Sequence, residues 1–148
     1  MRTVVAKFGG TSLASAGQFR KIREIINEDP DRRFIVASAP GKRFPEDVKT
    51  TDLLLACYED AAAGKDFEPG LKRVEERFRE IVSDLGLSFP LAEEIDTLRR
   101  HLQTEPQRDY VASRGEYLNS RILAAYLGFT FVDPEWCVCF DEHGALTD

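Results

Sequence analysis

The sequence predicts an α/β fold, a mainly parallel sheet flanked by helices, from three observations. Two short apolar runs that end in turn residues, at 2–8 and 33–38, bracket a segment with helical spacing. The stretch from about 51 to 127 is helical by apolar periodicity, and strand-like patterning returns at Phe129. With 148 residues, 43% of them hydrophobic, the chain has material for one core and too little for two.

The first run places Val4, Val5, Ala6 and Phe8 in near-continuous apolar order and stops at Gly9-Gly10, which reads as a buried strand followed by a turn. Ser15 with Gln18 three residues on has the form of a capping box, and Phe19, Ile22 and Ile26 then recur at helical spacing until Pro30. Residues 33–38 give a second buried strand, so the first 38 residues read as a βαβ unit with a parallel pair and a right-handed crossover. Pro40-Gly41 opens a charged loop that runs to Lys49 and is expected to be exposed and mobile. Residues 51–64 form a helix with Asp52 near its start, Leu54, Leu55 and Tyr58 inside and Gly64 as its stop signal. Helices follow at 69–85, 90–102 and 106–127, each with apolar residues three or four apart. Residues 129–132 and 137–140 read as strands, with Phe129, Phe131 and Trp136 in the core, and Asp141-Glu142-His143-Gly144 is a hairpin turn into 145–147. A return strand that stops at Asp148 has little room to pair, so the chain is expected to end within a domain.

Composition narrows the function. A formal net charge of −6 provides no field to gather nucleic acid or an anionic membrane surface. No apolar stretch approaches the roughly 20 residues of a membrane helix, and no secretory cleavage site follows the first apolar run. Three cysteines, two of them in Cys137-Val138-Cys139, fit reduced thiols, so a soluble cytoplasmic protein is expected. His101 and His143 lie far apart with no ligand at metal spacing, and no metal site is expected.

Four segments could carry chemistry. In Lys7-Phe8-Gly9-Gly10-Thr11-Ser12, adjacent glycines at a strand end can aim backbone N–H groups at a phosphate, and the next helix turns its positive end the same way. Lys7, a charge within an apolar strand, could then neutralise phosphoryl oxygens. The plain alternative is a snorkelling lysine beside a structural turn. Ser38-Ala39-Pro40-Gly41 closes the second strand at the same sheet edge, where ligands bind in open α/β sheets, though Ser38 also suits an ordinary turn. Thr51-Asp52 sits at a helix start, where Thr51 could simply cap. Ser113, Glu116 and Ser120 share one helical face, a carboxylate flanked by hydroxyls that suits an ammonium group or a solvated surface.

Taken in order and with their separations, Lys7-Phe8-Gly9-Gly10-Thr11-Ser12, Ser38-Ala39-Pro40-Gly41, Thr51-Asp52-Leu53-Leu54 and Ser113-Arg114-Gly115-Glu116 resemble the N-terminal part of the aspartate kinases, in the amino-acid kinase superfamily. The resemblance implies a three-layer amino-acid kinase-like fold, present here as an incomplete N-terminal portion. It implies transfer of the ATP γ-phosphoryl group, with Mg²⁺ bound through ATP, to the side-chain carboxylate of L-aspartate, on the route to lysine, threonine and methionine. Carried over by motif, Lys7 stabilises the transferring group, while Phe8, Gly9, Gly10, Thr11 and Ser12 form the phosphate loop. Thr51 contacts aspartate, Glu116 holds its α-ammonium, and Ser38 lines the crevice between. The full-length enzyme is expected to be a homo-oligomer. The family's later Gly-Arg-Gly-Gly-Ser-Asp type segment, adenine-binding segment and regulatory ACT domains have no counterpart here, and the loop at 42–49 is a variation. The chain alone is therefore expected to lack aspartate kinase activity. A glutamate or carbamate kinase type of relative, or a phosphate-binding module without turnover, are the alternatives.

Overall fold

Val4–Phe8 forms β1 and Arg32–Ala37 forms β2, and the two pair in parallel from Val5 opposite Phe34 to Phe8 opposite Ala37. This computed structural model describes residues 2–147. A parallel pair needs a crossover, and α1 (Ala16–Asn27) supplies it, after a 3₁₀ turn at Gly10–Leu13. Helices α2 (Thr50–Ala62), α3 (Glu68–Asp84), α4 (Leu91–Thr104) and α5 (Arg108–Leu127) follow. The α/β class and the helical middle agree with the sequence expectation, and Gly64 and Gly128 take positive φ just beyond α2 and α5.

One core joins the five α-helices of the described residues. Phe19 and Ile22 of α1, Leu54 of α2, Phe78 and Ile81 of α3, Ile95 and Leu98 of α4, and Leu118 and Ile122 of α5 are almost wholly buried together. Each such side chain contributes about 1.5–3 kcal/mol relative to exposure. Phe8 and Ile35 pack against this core from the sheet, so helices cover one face of the strand pair.

The other face is open. Val5 is 64% exposed, Phe34 60% and Val36 51%, whereas the sequence predicted strands buried on both sides. An apolar run reports a strand's preference for burial, but a second covering layer has to be present to satisfy it. Residues 129–132 and 137–140 form no strand. Among the described residues the C-terminal stretch holds a 3₁₀ turn at Pro134–Trp136 and one antiparallel bridge, Phe140 with Leu146. The hairpin turn itself is present, because Asp141 Oδ1 accepts from the His143 and Ala145 amides. Trp136 is 76% exposed and Phe129 is exposed, against the expectation of core, while Phe131 is half-buried and packs edge-on to Tyr117.

Two local expectations also change. Ser15 occupies the N-cap of α1 but its side chain makes no capping bond; its carbonyl accepts from Gln18 and Phe19 instead. The loop at 42–49 is pinned rather than loose. Asp47 accepts from the Arg43 side chain at 2.8 Å and from Arg77 of α3 at 2.6 Å, and Arg43 reaches Glu80 at 2.7 Å.

Candidate functional site

The C-terminal ends of β1 and β2 lie side by side, since the Ser38 amide donates to the Phe8 carbonyl at 3.1 Å. The two turns that leave them are in backbone contact. The Gly41 amide donates to the Gly10 carbonyl at 2.8 Å. A Cβ on Gly10 would stand 2.9 Å from the Ala39 carbonyl oxygen, and one on Gly41 would stand 2.5 Å from the Gly10 carbonyl carbon. Gly10 is therefore required by the neighbouring loop. Gly9 differs, because a Cβ there would meet nothing within 4 Å. The open side of the turn is at Gly9, and the Ser12 amide closes it from within onto the Gly9 carbonyl at 3.0 Å.

Lys7 lies on the uncovered face of β1, opposite Val36, and is exposed, so its charge carries no burial cost here. It forms no ion pair with the described residues. Thr11 and Ser12 are exposed on the same turn, and Phe8 is half-buried beneath it.

Residues 38–41 are held from three helices. Asn119 of α5 donates through Nδ2 to the Ser38 carbonyl at 2.7 Å, the Thr50 amide of α2 donates to the Pro40 carbonyl at 3.2 Å, and Arg77 of α3 donates through Nη2 to the Gly41 carbonyl. Gly115 of α5 lets this loop approach, since a Cβ there would lie 2.8 Å from Ala39 Cβ and 3.3 Å from Leu54 Cδ1. The Arg43 hydrogen bond, with Arg77 and the Arg43 and Val48 amides, holds the Asp47 carboxyl far below the usual carboxylate range. Burial draws Arg77 below its ordinary value, against the pull of Asp47.

Ser113, Glu116 and Ser120 do share one face of α5, and that face forms a wall of an open cavity of about 840 Å³. Residues 33–37 of β2 and residues 129–135 form its other walls. Because consecutive residues of β2 line it, the cavity runs along the strand's free edge. The same helix is apolar toward the core through Val111, Leu118 and Ile122, so α5 has two working faces. Thr51 sits in the first turn of α2, half-buried, with Lys49 as the N-cap residue; it does not cap, and it does not line the cavity. Lys7, Gly9, Gly10 and Ser38 also stand outside that cavity. The predicted residues thus fall in separate parts: the paired glycine turns at the strand ends, Glu116 in the cavity along β2, and Thr51 in neither, with Asn119 of α5 bonding the Ser38 carbonyl.

The chain as a whole has matches among known proteins. The amino acid kinase family, as a family model, matches residues 2–144. The chain belongs to that family. Aspartokinase 3 of Bacillus subtilis (strain 168) is 38% identical over 138 residues, covering 89% of this chain and 30% of its own length. Aspartokinase 1, chloroplastic, of Arabidopsis thaliana is 31% identical over 159 residues, covering 99% of this chain and 27% of its own. The crystal structure of Clostridium acetobutylicum aspartate kinase superposes with a TM-score of 0.96 at 41% identity, covering 99% of this chain and 34% of that one. E. coli aspartokinase III in complex with aspartate and ADP gives 0.66 at 26% identity, over 86% of this chain and 29% of that one. The chain thus spans about 30% of the length of these amino acid kinase relatives.

Within this amino acid kinase chain, four residues of the site escaped the sequence reading. Thr50, Arg77, Asn119 and Asp47 are polar groups taken out of water by contacts between distant segments, at 0%, 4% and 0% exposure for the first three. Adjacent threonines could not reveal that Thr50 is the one that packs inward. Asn119 carried a weak signal, since it follows Gly115 by one turn on the face that meets Ala39.

Proposed function

We propose that this chain carries the phosphate turn and one wall of the amino-acid site of an aspartate kinase. Such an enzyme transfers the γ-phosphoryl group of ATP to the side-chain carboxylate of L-aspartate, giving 4-phospho-L-aspartate and ADP. The observation that carries the reading is the contact of the Gly9-Gly10 turn with the Ser38–Gly41 loop, tied by Asn119 to the helix that bears Glu116. In this reading the turn would take the phosphate and the Glu116 carboxylate the amino acid, near the C-terminal ends of the strands, where ligands bind in open α/β sheets.

The residues fit the nucleotide's anionic end. Gly9 leaves open space beside the backbone, and Lys7 is an exposed cation on the strand that feeds the turn. ATP would bring Mg²⁺ with it and supply the group transferred. Lys7 would balance charge on the phosphoryl oxygens, and Phe8 would pack beneath the turn of Gly9, Gly10, Thr11 and Ser12. Glu116 would pair with the α-ammonium of aspartate, Thr51 would contact the same substrate, and Ser38 would line the crevice between. Their contribution is positioning and charge stabilisation, the larger part of catalysis in phosphoryl transfer. Cytoplasmic residence and homo-oligomerisation of the full-length enzyme belong to the same reading.

Titration of the ¹⁵N-labelled chain tests it. Mg-ATP is expected to shift the amides of residues 9–12, and Lys7→Ala to weaken that response. L-Aspartate is expected to shift residues 113–120, and Glu116→Gln to abolish it. Response to the nucleotide with none to aspartate would instead establish a phosphate-binding module, and a response to carbamate would move the chain to that kinase type.

A further inference from the structure

We propose that Arg77 is a positioning residue for the Gly9-Gly10 turn, acting through the backbone of Gly41. Arg77 belongs to α3, which contributes no motif residue, and a mid-helix arginine is ordinarily solvated. Here it is 4% exposed. Burying a guanidinium is costly unless its donors are used, and its two terminal nitrogens are used asymmetrically. Nη1 pairs with Asp47 at 2.6 Å, and Nη2 donates to the Gly41 carbonyl. The Nε has no partner among the described residues, so the side chain is directed to these two acceptors.

The second acceptor matters for the turn. Gly41 receives Arg77 on its carbonyl and passes its own amide to the Gly10 carbonyl at 2.8 Å. The two glycines have no slack between them, because a Cβ on either would fall within 3 Å of the other segment's backbone. A shift of Gly41 therefore has to move Gly10, and with it the amides ahead of Ser12. Asp47 has a different part. It fixes Arg77 from the far side and is itself held by Arg43, so the 42–49 loop keeps the guanidinium aimed at Gly41. A bidentate planar donor suits this bridge, and a lysine could serve one acceptor but not both in the same geometry.

Amide hydrogen exchange on the full chain tests the assignment with no ligand present. Arg77→Met is expected to speed exchange of the Ser12 and Gly41 amides about tenfold or more beyond the acceleration of the α4 amides, which read the global loss of stability. Arg77→Lys, which keeps the charge, is expected to fall between wild type and Arg77→Met at Ser12. Asp47→Asn is expected to loosen residues 42–48 and change Ser12 less than Arg77→Met does. Unchanged exchange at Ser12 in Arg77→Met, or equal acceleration throughout the chain, would overturn the proposal. If Arg77→Met fails to fold, Arg77→Lys decides, with wild-type exchange at Ser12 counting against. The phosphate role of the turn rests on the proposed function and has its own readout: Mg-ATP shifts at residues 9–12 in the wild type. Absence of those shifts would remove that role and leave the positioning result standing.

Discussion

Gly9 and Gly10 are adjacent, yet the structure asks different things of them. Gly9 has φ −78° and ψ 166°, an extended conformation open to any residue, and an added methyl would meet nothing. Gly10 is pressed against the backbone of residues 39–41. Gly9→Ala is therefore expected to change stability by less than about 0.5 kcal/mol, and Gly10→Ala to cost about 1–3 kcal/mol, by urea unfolding. Equal costs would contradict the separation. If phosphate approaches at Gly9, Gly9→Ala should also weaken Mg-ATP shifts while leaving the fold intact. A second residue-scale expectation concerns the thiols. Burial pushes Cys57 up to about 11, whereas Cys137 and Cys139 are exposed. The thiolate is the reactive form, so an aromatic disulfide reagent at about pH 8 should titrate two thiols rapidly and the third only on unfolding. Rapid reaction of all three would show that the α2–α3 contact around Cys57 opens readily. The sequence marked Gly9-Gly10 as one unit because spacing records residue type, while the division of labour depends on a loop thirty residues away.

The helices were the most legible elements, for a physical reason. Apolar spacing of three and four, with Pro69 and Pro90 near helix starts and Gly128 in the left-handed conformation after α5, is local information. The burial of β1 and β2 was legible only in part, because it needs a second layer. In the charged segment at 42–49, Pro45 and Glu46-Asp47 oppose regular structure and so predict mobility, but its order comes from Arg77, thirty residues beyond Asp47. That ordering gives a pH dependence. Hydrogen bonds from Arg43 and Arg77 hold the Asp47 carboxyl below its ordinary range in the folded chain, so on acidification the unfolded chain takes up the proton first. The contribution of Asp47 is complete above about pH 5, is half-way into the unfolded carboxyl's titration near pH 4, and is lost progressively below that. Asp47→Asn is expected to destabilise by about 3 kcal/mol at neutral pH, as a largely buried ion pair loses one charge. The difference from wild type should shrink as pH falls from about 5 toward 2. A difference that stays constant over that range would assign the effect of Asp47 to packing alone.

The molecule as a whole is well packed on one side and open on the other. Its helical core is continuous, but Val5, Phe34 and Val36 stand exposed on one sheet face, and Val132, Trp136, Phe140 and Leu146 are each at least 60% exposed. Besides this, among the described residues β2 pairs with β1 alone, and its outer edge lines the open cavity opposite residues 129–133. The net charge of −6 gives some mutual repulsion between copies, and on β1 itself the charge is Lys7. Water-exposed apolar surface of this kind drives association, and an unpaired strand edge gives it a template. The isolated chain is therefore expected to self-associate reversibly as concentration rises through about 10–100 μM, in the range where such surfaces aggregate. Phe34→Thr with Val36→Lys should suppress that association while leaving the thermal midpoint within a few degrees, because neither side chain belongs to the core. Sedimentation velocity on both chains decides the matter. A wild-type chain that stays monomeric across the series would mean that residues 129–147 fold back over the sheet in solution and cover the face themselves. Association that survives the double substitution would move the sticky surface to Trp136 and Phe140.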